Sequence, residues 1–129
     1  MMQIGQVALL VDDYDEAIAF FVDALGFTLV ADNDMGGGKR WVVVSPQPAA
    51  QTGILLARAA GEEQRAAVGA QAGGRVAFFL HTDDFARDYE RMKAAGVTFC
   101  EEPRHEAYGS VVVFEDISGN RWDLMQPAG

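Results

Sequence analysis

Gln6-Val7-Ala8-Leu9-Leu10-Val11-Asp12-Asp13 and Val76-Ala77-Phe78-Phe79-Leu80-His81-Thr82-Asp83-Asp84 are two versions of one pattern. Each is an apolar run that ends in adjacent aspartates, and each precedes a helix-like segment, a glycine and a second β-rich run. An internal repeat constrains the fold before any other feature. Two copies are too few for a solenoid, but two strand–helix–strand units can pair their sheets around a shared cleft. Clefts between modules are common ligand sites.

The first copy extends into a predicted β-α-β-β-β module. Residues 4–11 are apolar on both faces, which is typical of a strand that is covered on both sides. Asp13 stands three residues before Glu16, as in a capping box, and Gly26 supplies a left-handed helix end. The other predicted elements are a buried helix stripe at Ile18, Phe21 and Leu25, strands at 27–31, 40–45 and 53–58, and a hairpin loop at 34–39.

The second copy repeats this plan. We predict a strand at 76–82, a helix capped by Asp83 or Asp84, and a helix stop at Gly96. The other predicted elements are a helix stripe at Phe85, Tyr89 and Met92, strands at 97–101, 110–115 and 121–126, a loop at 103–109 and a tight turn at 116–120. The predicted organisation is one domain, 1–129, with modules at about 1–58 and 75–129. A linker at about 59–74, with a predicted helical turn at 62–68, joins them.

The most specific motif lies near the end of the chain, as Phe114-Glu115-Asp116-Ile117-Ser118-Gly119-Asn120-Arg121-Trp122-Asp123-Leu124. It resembles the closing strand–turn–strand of the vicinal oxygen chelate superfamily, and Leu25-Gly26-Phe27 resembles that family's helix exit. The superfamily includes glyoxalase I, extradiol dioxygenases, fosfomycin-resistance enzymes and bleomycin-resistance proteins. The resemblance implies an α+β fold of two βαβββ modules. Each would be a curled mixed sheet with helices outside, and the two would form a concave ligand cleft.

The resemblance also implies four positions where metal-dependent relatives place ligands. These positions are Gln6, Leu55 or Leu56, Val76 or Ala77, and Asp123. A catalytic divalent metal needs at least three N, O or S donors, and alkyl side chains supply none. His81 shares a face with Ala77 but lies ~13 Å further along the strand. We therefore predict no metal or other cofactor, with Gln6 and Asp123 as weak metal candidates.

Composition limits the partners. The net charge of −9, from 19 acidic and 10 basic residues, is the opposite of what nucleic acid binding requires. The single Cys100 forms no intramolecular disulfide, and no apolar run is long enough to span a membrane. The start of the chain lacks the pattern of a signal peptide. We therefore expect a cytoplasmic protein that binds no nucleic acid and no membrane. Exposed sheet edges predict a homodimer.

Several side chains are ligand-binding candidates, and each has a structural alternative. Asp123 faces away from Trp122 and Leu124, so it either meets a ligand or forms a salt bridge with an arginine. Trp41 is either core or a stacking surface. Cys100 is expected to be a small buried residue. The candidate residues are Gln6, Trp41, His81, Arg104, His105, Tyr108 and Asp123.

The sequence is compatible with two functions. The first is binding of a small organic molecule at a degenerate metal site, as the resemblance to bleomycin-resistance proteins implies. The alternative is a metal-dependent lyase, isomerase or dioxygenase of the same superfamily. The excess of acidic residues either serves solubility or marks a cleft that attracts a cationic ligand.

Overall fold

The computed structural model describes every residue from Met1 to Gly129, in two compact units that divide between Val68 and Gly69. The first unit holds a four-stranded sheet in the order β1-β4-β3-β2, in which β1 and β4 are parallel and the other pairs are antiparallel. Its elements are β1 (Gln6–Val11), α1 (Tyr14–Ile18) with a π-helical continuation (Ala19–Ala24), β2 (Thr28–Asp34), β3 (Arg40–Ser45), β4 (Gly53–Arg58) and α2 (Gly61–Ala67).

The core of the first unit lies between the sheet and the helix that follows β1. The Asp13 carboxylate caps α1 by accepting the N–H of Glu16 at 2.8 Å, as the capping box predicts. Gly26 ends the helical segment with a φ of 77°. The fully or nearly buried apolar side chains of this unit include Leu9, Val11, Tyr14, Ala17, Phe21, Leu25, Val42, Val44 and Leu56. Side chains on alternate positions of β1 therefore point either into this core or onto the other face of the sheet.

The second unit repeats the arrangement with one additional strand. Its sheet runs β5-β9-β8-β6, β7 also pairs with β8, and β5 and β9 are parallel. Its elements are β5 (Val76–His81), α3 (Phe85–Ala94), β6 (Thr98–Phe99), β7 (Arg104–Glu106), β8 (Gly109–Glu115) and β9 (Arg121–Pro127). The predicted α+β class with two βαβββ modules is confirmed. No helix is long and apolar enough to cross a membrane.

The turn between β8 and β9 is held by one buried carboxylate. Asp116 accepts the backbone N–H groups of Ser118 at 2.9 Å and Asn120 at 3.0 Å. It also accepts the Asn120 side-chain amide at 3.2 Å and the Trp122 indole N–H at 2.9 Å. This network fixes the register of the last two strands, so that Trp122 enters the core and Asp123 faces the opposite side of the sheet.

The edge of the second sheet differs from the sequence prediction. The predicted strand 97–101 is reduced to β6, and the predicted loop 103–109 contains β7, a short strand that pairs with β8. Between β6 and β7, the Glu101 side chain accepts a hydrogen bond from the backbone N–H of Val113 at 3.0 Å. This carboxylate takes the place of a backbone carbonyl of a neighbouring strand. A carboxylate thus replaces one backbone acceptor of the ladder, and this substitution cannot be recognised from periodicity.

Two further predictions need correction. Cys100 was expected to be buried, but it is exposed, because it lies where the chain bends between β6 and β7. The stretch 59–74 was expected to be a linker, but it contains the complete helix α2, which belongs to the first unit. Its predicted helical turn at 62–68 is present, one residue earlier than expected.

Candidate ligand-binding site

Asp123 is the polar centre of the open face of the second sheet. It lies on β9 between Trp122 and Leu124, which are both buried on the helix side. Its neighbours across the sheet are Phe79 on β5 and Val113 on β8, and both are hydrocarbon side chains. The Oδ1 atom of Asp123 is buried and has no hydrogen-bond partner. An unpaired buried carboxylate oxygen is costly, and a ligand donor would satisfy it.

The surroundings of Asp123 raise its pKa above the ordinary value. Burial raises the pKa of Asp123, the Glu101 charge raises it further, and the Arg104 charge lowers it. Arg104 does not form the salt bridge with Asp123 that was one of the sequence alternatives, because Glu101 already occupies its guanidinium at 3.0 Å. Burial is the largest of these effects, so the direction of the shift follows from it.

The segment around β7 brings two of the candidate side chains, Arg104 and Tyr108, onto this region. Glu101 accepts three hydrogen bonds from Arg104, and both of its carboxylate oxygens take part. This pair raises the pKa of Arg104. Arg104 also donates to the Tyr108 hydroxyl at 3.4 Å. Tyr108 remains 53% exposed. The result is a fixed guanidinium with an aromatic ring beside it and a carboxylate behind it.

Phe79 is a residue of this face that sequence reasoning missed. It is 64% exposed, although it stands in the middle of an apolar strand. The signal was present in the sequence, since Val76–Leu80 is apolar on both faces and only one face can meet the helix. An exposed phenyl ring next to an unpaired carboxylate gives this face both a stacking surface and a polar anchor.

The two histidines do not join this group. His81 lies on the same face as Phe79, pairs with Met125 and is exposed at the end of β5. His105 lies on the helix side, where its Nδ1 is 2.8 Å from the Ser110 hydroxyl and its ring meets Phe85 edge-on at 6.2 Å. Of the candidates in this unit, the structure therefore brings together Asp123, Arg104 and Tyr108.

The two remaining candidates belong to the first unit. Gln6 is exposed at the start of β1. Trp41 is 39% exposed on β3 and lines a pocket of about 700 Å³ at the end of the sheet. The same pocket is lined by Tyr14 and by basic side chains that the sequence analysis did not single out. The two alternatives for Trp41 thus resolve in favour of an accessible surface.

The side chains present do not fit the metal site of the metal-dependent relatives. The register places Leu55 opposite Ala8, on the face that Gln6 shares, whereas Leu56 is buried in the core. On the second sheet the neighbours of Asp123 are carbon side chains, and Ala77 sits in a bulge of β5. No group of three or more His, Cys, Asp or Glu side chains is placed to hold an ion. Alkyl side chains at two of the four family ligand positions supply no donor atoms, so too few ligands remain to hold a divalent metal ion.

Comparison with known proteins agrees with this architecture. A family profile described as the Glyoxalase/Bleomycin resistance protein/Dioxygenase superfamily matches residues 3–124. An uncharacterized protein of Shewanella frigidimarina (strain NCIMB 400) is 52% identical over 124 residues, which cover 95% of this chain and 92% of that protein. The crystal structure of UcmS2 has a TM-score of 0.83 and 30% identity, covering 97% of this chain and 98% of UcmS2. The crystal structure of TnmS3, an antibiotic binding protein from Streptomyces sp. CB03234, has a TM-score of 0.79 and 28% identity. The match covers 99% of this chain and 98% of TnmS3.

Proposed function

The chain belongs to the Glyoxalase/Bleomycin resistance protein/Dioxygenase superfamily, and on that basis we propose that it binds a small organic molecule through Asp123 without a metal ion. The observation that carries this proposal is the buried Asp123 oxygen that has no hydrogen-bond partner. Folded proteins leave few buried polar atoms without a partner, and a hydrogen-bond donor on a ligand would supply one here.

One solved relative supports a binding function. TnmS3 is described as an antibiotic binding protein and is similar to this chain over nearly its full length. We propose the same class of activity here, namely reversible capture of an organic molecule. The alkyl side chains at two of the four positions where metal-dependent relatives carry ligands support the same choice.

The side chains around Asp123 favour an aromatic ligand that carries an amine or another N–H donor. A donor on the ligand would meet the free Oδ1 atom, and a protonated amine would form a charge-assisted hydrogen bond. Phe79 and Tyr108 offer exposed rings to a flat apolar body. A cation held over such a ring contributes ~0.5–2 kcal/mol.

The test compares 2-naphthylmethylamine with its neutral analogue 2-naphthamide by isothermal titration at low salt. We expect the amine to bind more tightly, and Asp123→Asn to weaken amine binding about tenfold, the size of one charge-assisted hydrogen bond. Glu102→Gln is the matched control, since Glu102 is an exposed carboxylate in the same unit. If both variants weaken amine binding equally, or if Asp123→Asn leaves it unchanged, Asp123 is not the anchor.

Absence of a metal is tested directly. We expect the protein, purified without added metal, to carry no stoichiometric divalent ion, because two of the four family ligand positions hold hydrocarbon side chains. Elemental analysis provides the measurement. About one nickel, zinc, iron or manganese per chain would instead support the enzyme alternative.

We also propose that the chain is a cytoplasmic homodimer. Each sheet has edge strands, and several apolar side chains are exposed, among them Leu29 and Val30 on the edge strand β2. A single exposed cysteine suits a reducing compartment. Sedimentation at micromolar concentration should give the mass of a dimer, and a monomer at that concentration would contradict the proposal.

A further inference from the structure

We propose that the pocket at the end of the first sheet is a separate binding site for an organic anion, specifically an aromatic carboxylate. The pocket has a volume of about 700 Å³ and is formed where β3 begins and β4 runs into α2. This volume lies within the range of small-molecule sites. The pocket lies in the first unit alone, and anion binding there does not depend on ligand binding at Asp123.

The charges that line the pocket have one sign. Its charged lining residues are Lys39, Arg40, Arg58 and Arg65. Four of the chain's 10 basic residues thus line this pocket, and none of its 19 acidic residues does. In a chain with a net charge of −9 such a concentration is unexpected, and it makes the pocket locally attractive to anions.

The four cations are not equally available. Arg40 is neutralised by Asp15 at 2.9 Å and by Asp32 at 2.7 Å, so it supports the wall of the pocket rather than a ligand. These carboxylates raise the pKa of Arg40, chiefly through the hydrogen bonds that Arg40 donates to Asp32. Lys39, Arg58 and Arg65 form no salt bridge within the chain, in contrast to Arg87, Arg91 and Arg104. Their charges are therefore free for a ligand.

Tyr14 fixes the position of one free cation. Its ring is 6% exposed, and the guanidinium of Arg58 lies over it at 5.3 Å while that of Arg40 lies over it at 5.1 Å. The Tyr14 hydroxyl accepts the backbone N–H of Arg40 at 3.1 Å, which holds the ring in place. Arg58 is therefore pre-oriented by stacking instead of by a carboxylate, so that it keeps its hydrogen-bond donors for an incoming anion.

The uncharged part of the lining selects the body of the ligand. Trp41 is partly exposed and contributes a flat indole surface, while Leu55 and Ala57 contribute apolar wall. A guanidinium and an ammonium recognise a carboxylate by charge-assisted hydrogen bonds, and an indole face stacks on an aromatic ring. A planar acid satisfies both parts of the pocket at once, whereas an inorganic anion would use only the charges.

The experiment measures binding of 2-naphthoate, 2-naphthamide and inorganic phosphate to the full chain by isothermal titration at low and high salt. We expect 2-naphthoate to bind about tenfold more tightly than 2-naphthamide, as one charge-assisted hydrogen bond provides. We expect this advantage to shrink at high salt because the cations are exposed. Equal binding of the acid and the amide, or tighter binding of phosphate than of naphthoate, would overturn the proposal.

Matched variants separate the pocket from overall charge. The double variant Lys39→Gln/Arg65→Gln removes two pocket cations, while Arg75→Gln/Lys93→Gln removes two exposed cations of the second unit and changes the net charge equally. We expect a loss of about tenfold or more in naphthoate affinity for the first and no change for the second. An equal loss in both would show only a long-range field and refute the site. Glu102→Gln, which changes an exposed carboxylate outside both proposed sites, should leave naphthoate binding unchanged.

Discussion

Replacing Asp123 by Asn should stabilise the folded protein at neutral pH. The substitution preserves shape but removes a charge whose Oδ1 atom is buried without a partner. An unsatisfied buried polar group costs ~1–3 kcal/mol, and more when it is charged. Asp123 is only partly buried, and Arg104 offsets some of the cost through space, so we take the lower end, ~1 kcal/mol. In a chain of 129 residues this corresponds to a rise in melting temperature of about 3 °C.

The sign of the pH dependence follows from the direction of the pKa shift. Burial raises the pKa of Asp123 in the folded protein above its ordinary value of 3.8. Below pH 3.8 the carboxyl is protonated in both the folded and the unfolded chain, so the wild-type protein carries no penalty. As the pH rises through the window above 3.8, the folded protein must release a proton that it holds more tightly, and the wild-type protein loses stability relative to Asp123→Asn.

The assay is urea unfolding of wild type, Asp123→Asn and the exposed control Glu102→Gln at several pH values between 3.5 and 7.5. The advantage of Asp123→Asn should be near zero at the acid end and reach its full size near neutral pH, while Glu102→Gln should show no such trend. A variant that is less stable than wild type at pH 7 would mean that Asp123 is a structural partner. The proposed ligand site at Asp123 would then lose its main support.

Two further substitutions test the frame around the site. Asp116→Ala leaves four donors without an acceptor, including the Trp122 indole N–H. It should lower the free energy of unfolding in urea by ~3 kcal/mol. A loss below about 1 kcal/mol would show that the turn does not depend on this carboxylate. Gly109→Ala places a Cβ 2.3 Å from the Gln126 carbonyl oxygen at a φ of +144° and should lower the melting temperature markedly, whereas Gly5→Ala meets nothing within 4 Å and should be neutral. Equal melting temperatures for the two alanine variants would contradict the clash.

The elements of the fold were predictable because local signals agreed with one another. β3 and β4 lie at the predicted positions, since a glycine loop and flanking prolines limit them. The caps at Asp13 and Asp84 are present, and each accepts a backbone N–H three residues ahead. In all of these cases the residues that limit or cap an element lie within a few positions of it. Sequence patterns detect signals over this short distance along the chain.

The edge of the second sheet was not predictable for the opposite reason. Glu101 accepts the N–H of Val113, a residue that lies 12 positions away, and so takes the place of a strand. No periodicity distinguishes this carboxylate from the exposed Glu102 beside it. The pocket cations were missed in the same way, because Lys39 and Arg65 are distant in sequence and come together only where the start of β3 and α2 line one pocket.

The same chain that leaves Asp123 unpaired satisfies its other buried carboxylate fully. Asp116 receives four hydrogen bonds, while Asp123, seven residues later, has an oxygen with none. Phe79 beside it is exposed in a strand whose neighbours Phe78 and Leu80 are better covered. An unpaired carboxylate and an exposed phenyl ring each reduce the stability or solubility of a free protein. They occur together on adjacent strands, where one aromatic ligand with a hydrogen-bond donor would remove both costs, and this coincidence is the physical basis for placing the site there.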